Sequence, residues 1–188
     1  MEAARLRVAL ERTPGLVPRA PARADRIAAL ERRLSISLPP AYRRFVHEVA
    51  DGLAFEGASW LFSLEEIARD LATHGSPSRP FPYGVKQAAA IRTALAAAST
   101  AGNVFSPEVL ALQSVGELDG CLTLASNGGN DFSVLVVTGE QAGFVWRTGE
   151  LDFPESPRLY DPRRSDDSPL DFDAWLVRWG ECFLGLVV

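Results

Sequence analysis

The 188-residue chain is 47% hydrophobic and 23% charged, with a net charge of −5, the balance of one globular domain large enough for a sizeable core. No apolar run approaches the roughly 18–20 residues of a membrane helix, and the first residues alternate charge with apolar side chains, unlike a signal peptide. Two cysteines, Cys121 and Cys182, make no disulfide framework, so both are expected as buried or incidental thiols in a cytoplasmic protein.

A first helix is expected over residues 2–12, with Ala3, Leu6 and Leu10 on one face and Thr13-Pro14-Gly15 as its end. Residues 16–24 are proline-rich and read as a surface linker. Ile27, Leu30 and Leu34 stand at i, i+3 and i+7 and predict a helix over 25–34. Pro39 and Pro40 then force a break, because proline suits only the first turn of a helix, where its missing N–H had no partner. Tyr42, Phe45, Val46 and Val49 form the apolar stripe of the next helix, and Gly52 after Asp51 supplies a left-handed stop. A short strand is expected at 59–62. Ser63 and Glu66 make a capping box opening a helix with Leu64, Ile67 and Leu71 inward. Residues 74–84 read as a loop, and the alanine-dense 88–98 as a further helix.

From Val109 the apolar period changes to two. Strands are expected at 109–112, 121–125, 132–137 and 144–147, with turns at 126–131 and 138–143. Connections this short imply antiparallel hairpins, since a parallel crossover needs about a dozen residues. Phe132, Val134 and Val136 face one side of their strand while Leu135 and Val137 face the other, so that strand should be central and covered on both faces. Ser168 or Asp171 caps a last helix carrying Phe172, Trp175, Leu176 and Trp179. The order predicts an α+β fold: N-terminal helices, a central mainly antiparallel sheet and a closing C-terminal helix.

Little in the chain points to chemistry. His47 and His74 are the only histidines; His47 reads as a surface residue, and no zinc-ligand spacing or Cys–His pair can be built. The glycine-rich stretch 126–131 precedes a strand, whereas a phosphate cradle leads into a helix N-terminus. A calcium loop there would have only Asp131. No catalytic residue, cofactor or metal is therefore expected. Charge is distributed unevenly: residues 1–107 carry 14 basic against 10 acidic groups (+4), and residues 108–188 carry 5 against 14 (−9). An acidic half of this kind repels phosphate backbones and attracts basic proteins.

The pattern Ile27-x-x-Leu30-Glu31-x-x-Leu34, then Leu38-Pro39-Pro40-x-Tyr42-x-x-Phe45, then Asp51-Gly52, resembles the N-terminal half of the SUKH superfamily. The resemblance continues through Leu61-Phe62-Ser63-Leu64-Glu65-Glu66-Ile67, Leu122-Thr123-Leu124-Ala125, the glycine-rich turn to Asp131, and Gly143-Phe144-Val145-Trp146. It closes on Asp171-Phe172-Asp173-Ala174-Trp175-Leu176-x-x-Trp179. Asp51, where an Asn-Gly turn is more typical, and Asn130, inside what is often a Gly-Gly-Asp run, depart from the pattern. The resemblance covers residues 24–70 and 119–180. It leaves 1–20 as an N-terminal helical extension and 74–107 as a loop/helix insertion of a single domain spanning 1–188.

What the resemblance implies is an α+β domain used mainly as a bacterial immunity protein, which binds and neutralises a cognate toxin domain of nuclease or deaminase type. It brings no catalytic residues. The expected partner is a basic protein toxin, without direct nucleic-acid or membrane contact, met by a monomer or weak homodimer. The candidate contact residues are Trp60, Glu117, Asp119, Asn130, Asp131, Trp146, Glu150 and Asp152, acidic or amide groups beside tryptophans that would anchor an interface if exposed. Core packing is the competing role for the tryptophans. Two other functions stay open: a regulatory or scaffolding module of the cell-wall-signalling type, as in fungal relatives, and a hydrolase using Asp131, Glu117 or Asp119. The last would need a deep cleft with convergent carboxylates.

Overall fold

A computed structural model describes residues 3–55, 58–70, 76–84, 86, 93, 97, 119–128, 131–149, 158–160 and 170–184. Seven strands form one sheet in chain order, each antiparallel to the next: β1 (Leu16–Pro18), β2 (Leu53–Phe55), β3 (Ala58–Leu61), β4 (Cys121–Gly128), β5 (Asp131–Val136), β6 (Val145–Gly149) and β7 (Arg158–Tyr160). Among the described residues five helices accompany it, besides the isolated helical positions Lys86, Thr93 and Ala97: α1 (Ala3–Arg12), α2 (Ala24–Leu34), α3 (Pro40–Arg44), α4 (Leu64–Asp70) and α5 (Phe172–Leu184). The fold is α+β. None of the described helices is long and apolar enough to cross a membrane.

The main core joins the helices to one face of the sheet. Ile27 and Leu30 of α2, Tyr42 of α3, Leu64 and Ile67 of α4, and Phe172, Trp175 and Leu176 of α5 are buried together with Leu122, Leu124, Leu135 and Val145. The closing helix sits on α3 through edge-to-face rings, Tyr42–Phe172 at 5.1 Å and Phe45–Phe172 at 5.6 Å, a geometry that adds to plain area burial. Asp171 caps α5, its Oδ1 accepting from the Ala174 N–H at 2.8 Å. The Ser63 capping box also forms: Glu66 Oε2 accepts from the Ser63 N–H at 2.8 Å, and Ser63 Oγ from the Glu66 N–H at 3.3 Å.

Two expectations need correction. Residues 16–18 are not linker but the edge strand β1, paired with β2. Leu16 is buried while Val17 is 62% exposed, and Pro18, which cannot donate to a ladder, is tolerated because the strand lies at the sheet edge. Leu10 and Leu16 lie in the main core. Second, the stripe helix ends in a π turn, Phe45–Val49, closed by the Ala50 N–H donating to Phe45 O at 3.1 Å, five residues back. Gly52 has φ +94°, but what requires glycine there is a close backbone approach: a Cβ would lie 2.8 Å from Leu61 O and from Ser63 N. The helix expected over 25–34 is present as α2 and stops on Ser35 in the left-handed region (φ 54°), with the Ser35 and Ile36 N–H groups donating to Arg32 O and Glu31 O. Serine replaces the usual glycine in this stop.

The two-faced strand is present. Leu135 and Val137 enter the main core, while Val134 and Val136 join Cys121 and Trp146 on the opposite face. That second face is covered by Phe81 and Tyr83 of segment 76–84. Strands β4 and β5 run further than expected, pairing Gly128 with Asp131 across a two-residue connection. The expected strand at 109–112, Leu71, His74 and Ser168 lie outside the described residues, as does most of the helix at 88–98, of which Thr93 and Ala97 are helical. The side chains of Trp179 and Cys182 lie outside them too.

Cys121 is buried, and burial first, then the nearby Asp119 carboxylate, push its thiol well above the ordinary value. A protonated, enclosed thiol is a poor nucleophile. Iodoacetamide at about pH 8 should therefore leave Cys121 unmodified in the native protein and label it in denaturant. Peptide mass mapping reads the difference.

Candidate functional site

Of the eight candidate contact residues, the side chains of Trp60, Asp119 and Trp146 are among those described. Trp146 is fully buried. On β6 it lies directly across from Val134, stacked on Tyr83 (centroids 5.8 Å, planes at 22°) and edge-on to Phe81 at 5.0 Å. It offers no surface to a partner, because segment 76–84 covers the sheet face onto which its strand alternation directs it. Its Nε1 has no hydrogen-bond partner among the described residues. Trp60 on β3 is half-buried, packed against the main core and edge-on to Phe55 at 5.4 Å. The two tryptophans thus belong to different core clusters.

Asp119 holds chain rather than presenting charge. Its carboxylate accepts from the Ser76 N–H at 2.7 Å and lies 3.6 Å from Arg79 Nη1, with 17% of the side chain exposed. The following Gly120 N–H donates to Ser76 O at 3.0 Å, and Phe81 N–H donates to Thr138 O at 3.3 Å. Asp119 and Trp146 are therefore brought to the same segment, one fixing its start and the other lying beneath its aromatic rings. Asp131 opens β5 opposite Gly128, and its side chain lies outside the described residues. Glu117, Asn130, Glu150 and Asp152 also lie outside them.

Other polar groups are engaged structurally. The Asp51 carboxylate, 5% exposed, accepts from the Leu64 N–H at 2.8 Å at the start of α4 and lies 3.5 Å from Arg26 Nη1. Burial, and after it the Asp51 charge, push the Tyr42 hydroxyl far above its ordinary value, so it stays protonated. His47 is exposed, as expected, with Nδ1 3.0 Å from Ala22 O. Among the described residues no group of three or more His, Cys, Asp or Glu side chains is placed to hold a metal.

The concavity that the sequence reading missed lies between α2 and α4. It encloses about 410 Å³ and is lined on the α2 side by Arg26, Leu30 and Arg33 and on the α4 side by Leu64, Glu65 and Arg69. Two small residues, Ala29 and Ala68, also line it. Arg33 Nη2 donates to Ala68 O at 3.1 Å, tying the two helices at one end. Arg26 with Asp51 ties them at the other, since Asp51 also caps α4. The signals were present as Arg26 and Arg33 seven residues apart on α2 and as the +4 surplus of residues 1–107. Neither singles out a groove without knowing that α2 and α4 are neighbours. No protein-family model, curated protein or solved structure matches the chain.

Proposed function

We propose that this chain is a non-enzymatic immunity protein of the SUKH type that binds and neutralises a cognate bacterial toxin domain of the nuclease or deaminase class. One observation carries the reading. Nine of the apolar residues on which the resemblance rests, widely spaced in sequence, meet in the main core: Ile27 and Leu30, Leu38, Tyr42 and Phe45, Leu122 and Leu124, Phe172 and Trp175; Trp146 lies in the second cluster. A pattern that converges in this way describes a scaffold, and that scaffold is the basis for carrying the function across.

Neutralisation of this kind needs shape and charge rather than chemistry. An interface of about 1,200–2,000 Å² in total suffices to occlude an active site. The −9 balance of residues 108–188 would steer a basic toxin and speed association at low salt. Co-expression with any toxin domain found encoded beside this gene tests the proposal. Rescue of growth, with a stable complex on size exclusion, is the expected result. A neighbouring toxin that neither binds nor is neutralised overturns it, and capture of a housekeeping protein instead supports the regulatory reading.

A further inference from the structure

We infer that the groove between α2 and α4 is a docking site for an acidic, leucine-bearing helical segment of a protein partner. The floor is apolar, made by the outer edges of Leu30 and Leu64, and the alanines Ala29 and Ala68 let another backbone approach closely. Around it stand three guanidinium groups, Arg26, Arg33 and Arg69, against one exposed carboxylate, Glu65. Arg26 and Arg69 keep 53% and 75% of their side-chain surface exposed. A guanidinium carries five N–H donors in a planar fork, so the single partners seen here, Asp51, Ala68 O and Glu65, leave donors for an incoming carboxylate.

The spacing decides between a lone anion and a peptide. Arg26 and Arg33 are seven residues apart on one helix, about 10 Å along its axis. Each is anchored at its own end of the groove, Arg26 on Asp51 and Arg33 on Ala68 O, which keeps them from converging on one phosphate. Two carboxylates at i and i+7 of an incoming helix span the same distance, and apolar residues at i+3 and i+4 then fall over Leu30 and Leu64. No aromatic side chain lines the groove, so it offers a nucleic-acid strand no surface on which to stack a base. The groove therefore calls for a partner opposite in charge to the basic toxin proposed above, and it does not depend on that proposal.

The test uses the full chain and a fluorescein-labelled helical peptide of about four turns, with Glu at i and i+7 and Leu at i+3 and i+4. Fluorescence anisotropy should show saturable binding that weakens as NaCl rises from about 0.05 to 0.15 M. Arg69→Glu, at an exposed position, and Ala29→Trp, which fills the groove, should each weaken binding by about tenfold or more. Arg7→Glu on α1 should leave it unchanged. A peptide with both Glu replaced by Lys should not bind. Thermal melts of both groove variants should match the wild type, and either variant alone suffices if the other melts early. Equal affinity in wild type and the folded groove variants overturns the proposal. So does the absence of saturation by about 1 mM peptide, or preference for a single-stranded oligonucleotide over the acidic peptide.

Discussion

Trp146→Ala is expected to cost about 3–5 kcal/mol of stability, the range for truncating a fully enclosed aromatic side chain. For a chain of this length that lowers the melting temperature by about 10 °C or more. The loss follows from position. Trp146 lies between strand and strap, touching Phe81 and Tyr83 above and facing Val134 beside it on the sheet, so its removal empties the centre of the second core cluster. Trp146→Phe separates packing from recognition. It keeps an aromatic ring in the slot and removes an indole N–H that has no partner among the described residues, and it should cost only about 1–2 kcal/mol. Because the ring is enclosed, the folded Trp146→Phe protein should bind the toxin partner proposed above within about twofold of wild type. A tenfold loss of affinity at unchanged stability would return Trp146 to the contact surface.

The parts of the fold legible in sequence are those where local chemistry and burial agree. The proline pair before Tyr42 opens α3 because proline fits the first turn. The Ser63–Glu66 box opens α4 because it satisfies N–H groups that no helix can satisfy internally. β5 is readable as two-faced from the apolar run Val134-Leu135-Val136-Val137 at its end, and these side chains divide between the two clusters. What escaped is set by long-range contact. β1 is three residues inside a proline-rich stretch and becomes a strand only through pairing with β2. Segment 76–84 has the composition of a loop, yet Phe81 and Tyr83 roof the far side of the sheet. That roof also explains why Trp146, suitable for an interface by residue type, is enclosed. The groove escaped because Arg26 and Arg69 meet only through the packing of α2 on α4.

The roof rests on a backbone contact that glycine alone permits, which makes Gly120→Ala the second large effect. Gly120 has φ +74°, and a Cβ there would lie 2.4 Å from Phe81 N and 2.8 Å from both Phe81 Cα and Thr138 Oγ1. Two of these three atoms are backbone and cannot turn aside as a flexible side chain would. Either the strap lifts or the β4 start shifts, and the second movement would break the Val137 N–H bond to Gly120 O at 2.7 Å. A cost of about 3 kcal/mol or more is expected, from dihedral strain together with lost packing. Gly143→Ala supplies the control. Gly143 has φ +95°, yet a Cβ there meets nothing within 4 Å among the described residues, so that variant carries the dihedral strain alone, about 1 kcal/mol. Iodoacetamide labelling of Cys121, which lies under the same roof, should rise in Gly120→Ala and stay near the wild-type rate in Gly143→Ala. Equal melting temperatures and equal labelling in the two variants would mean that segment 76–84 does not close over the sheet in solution.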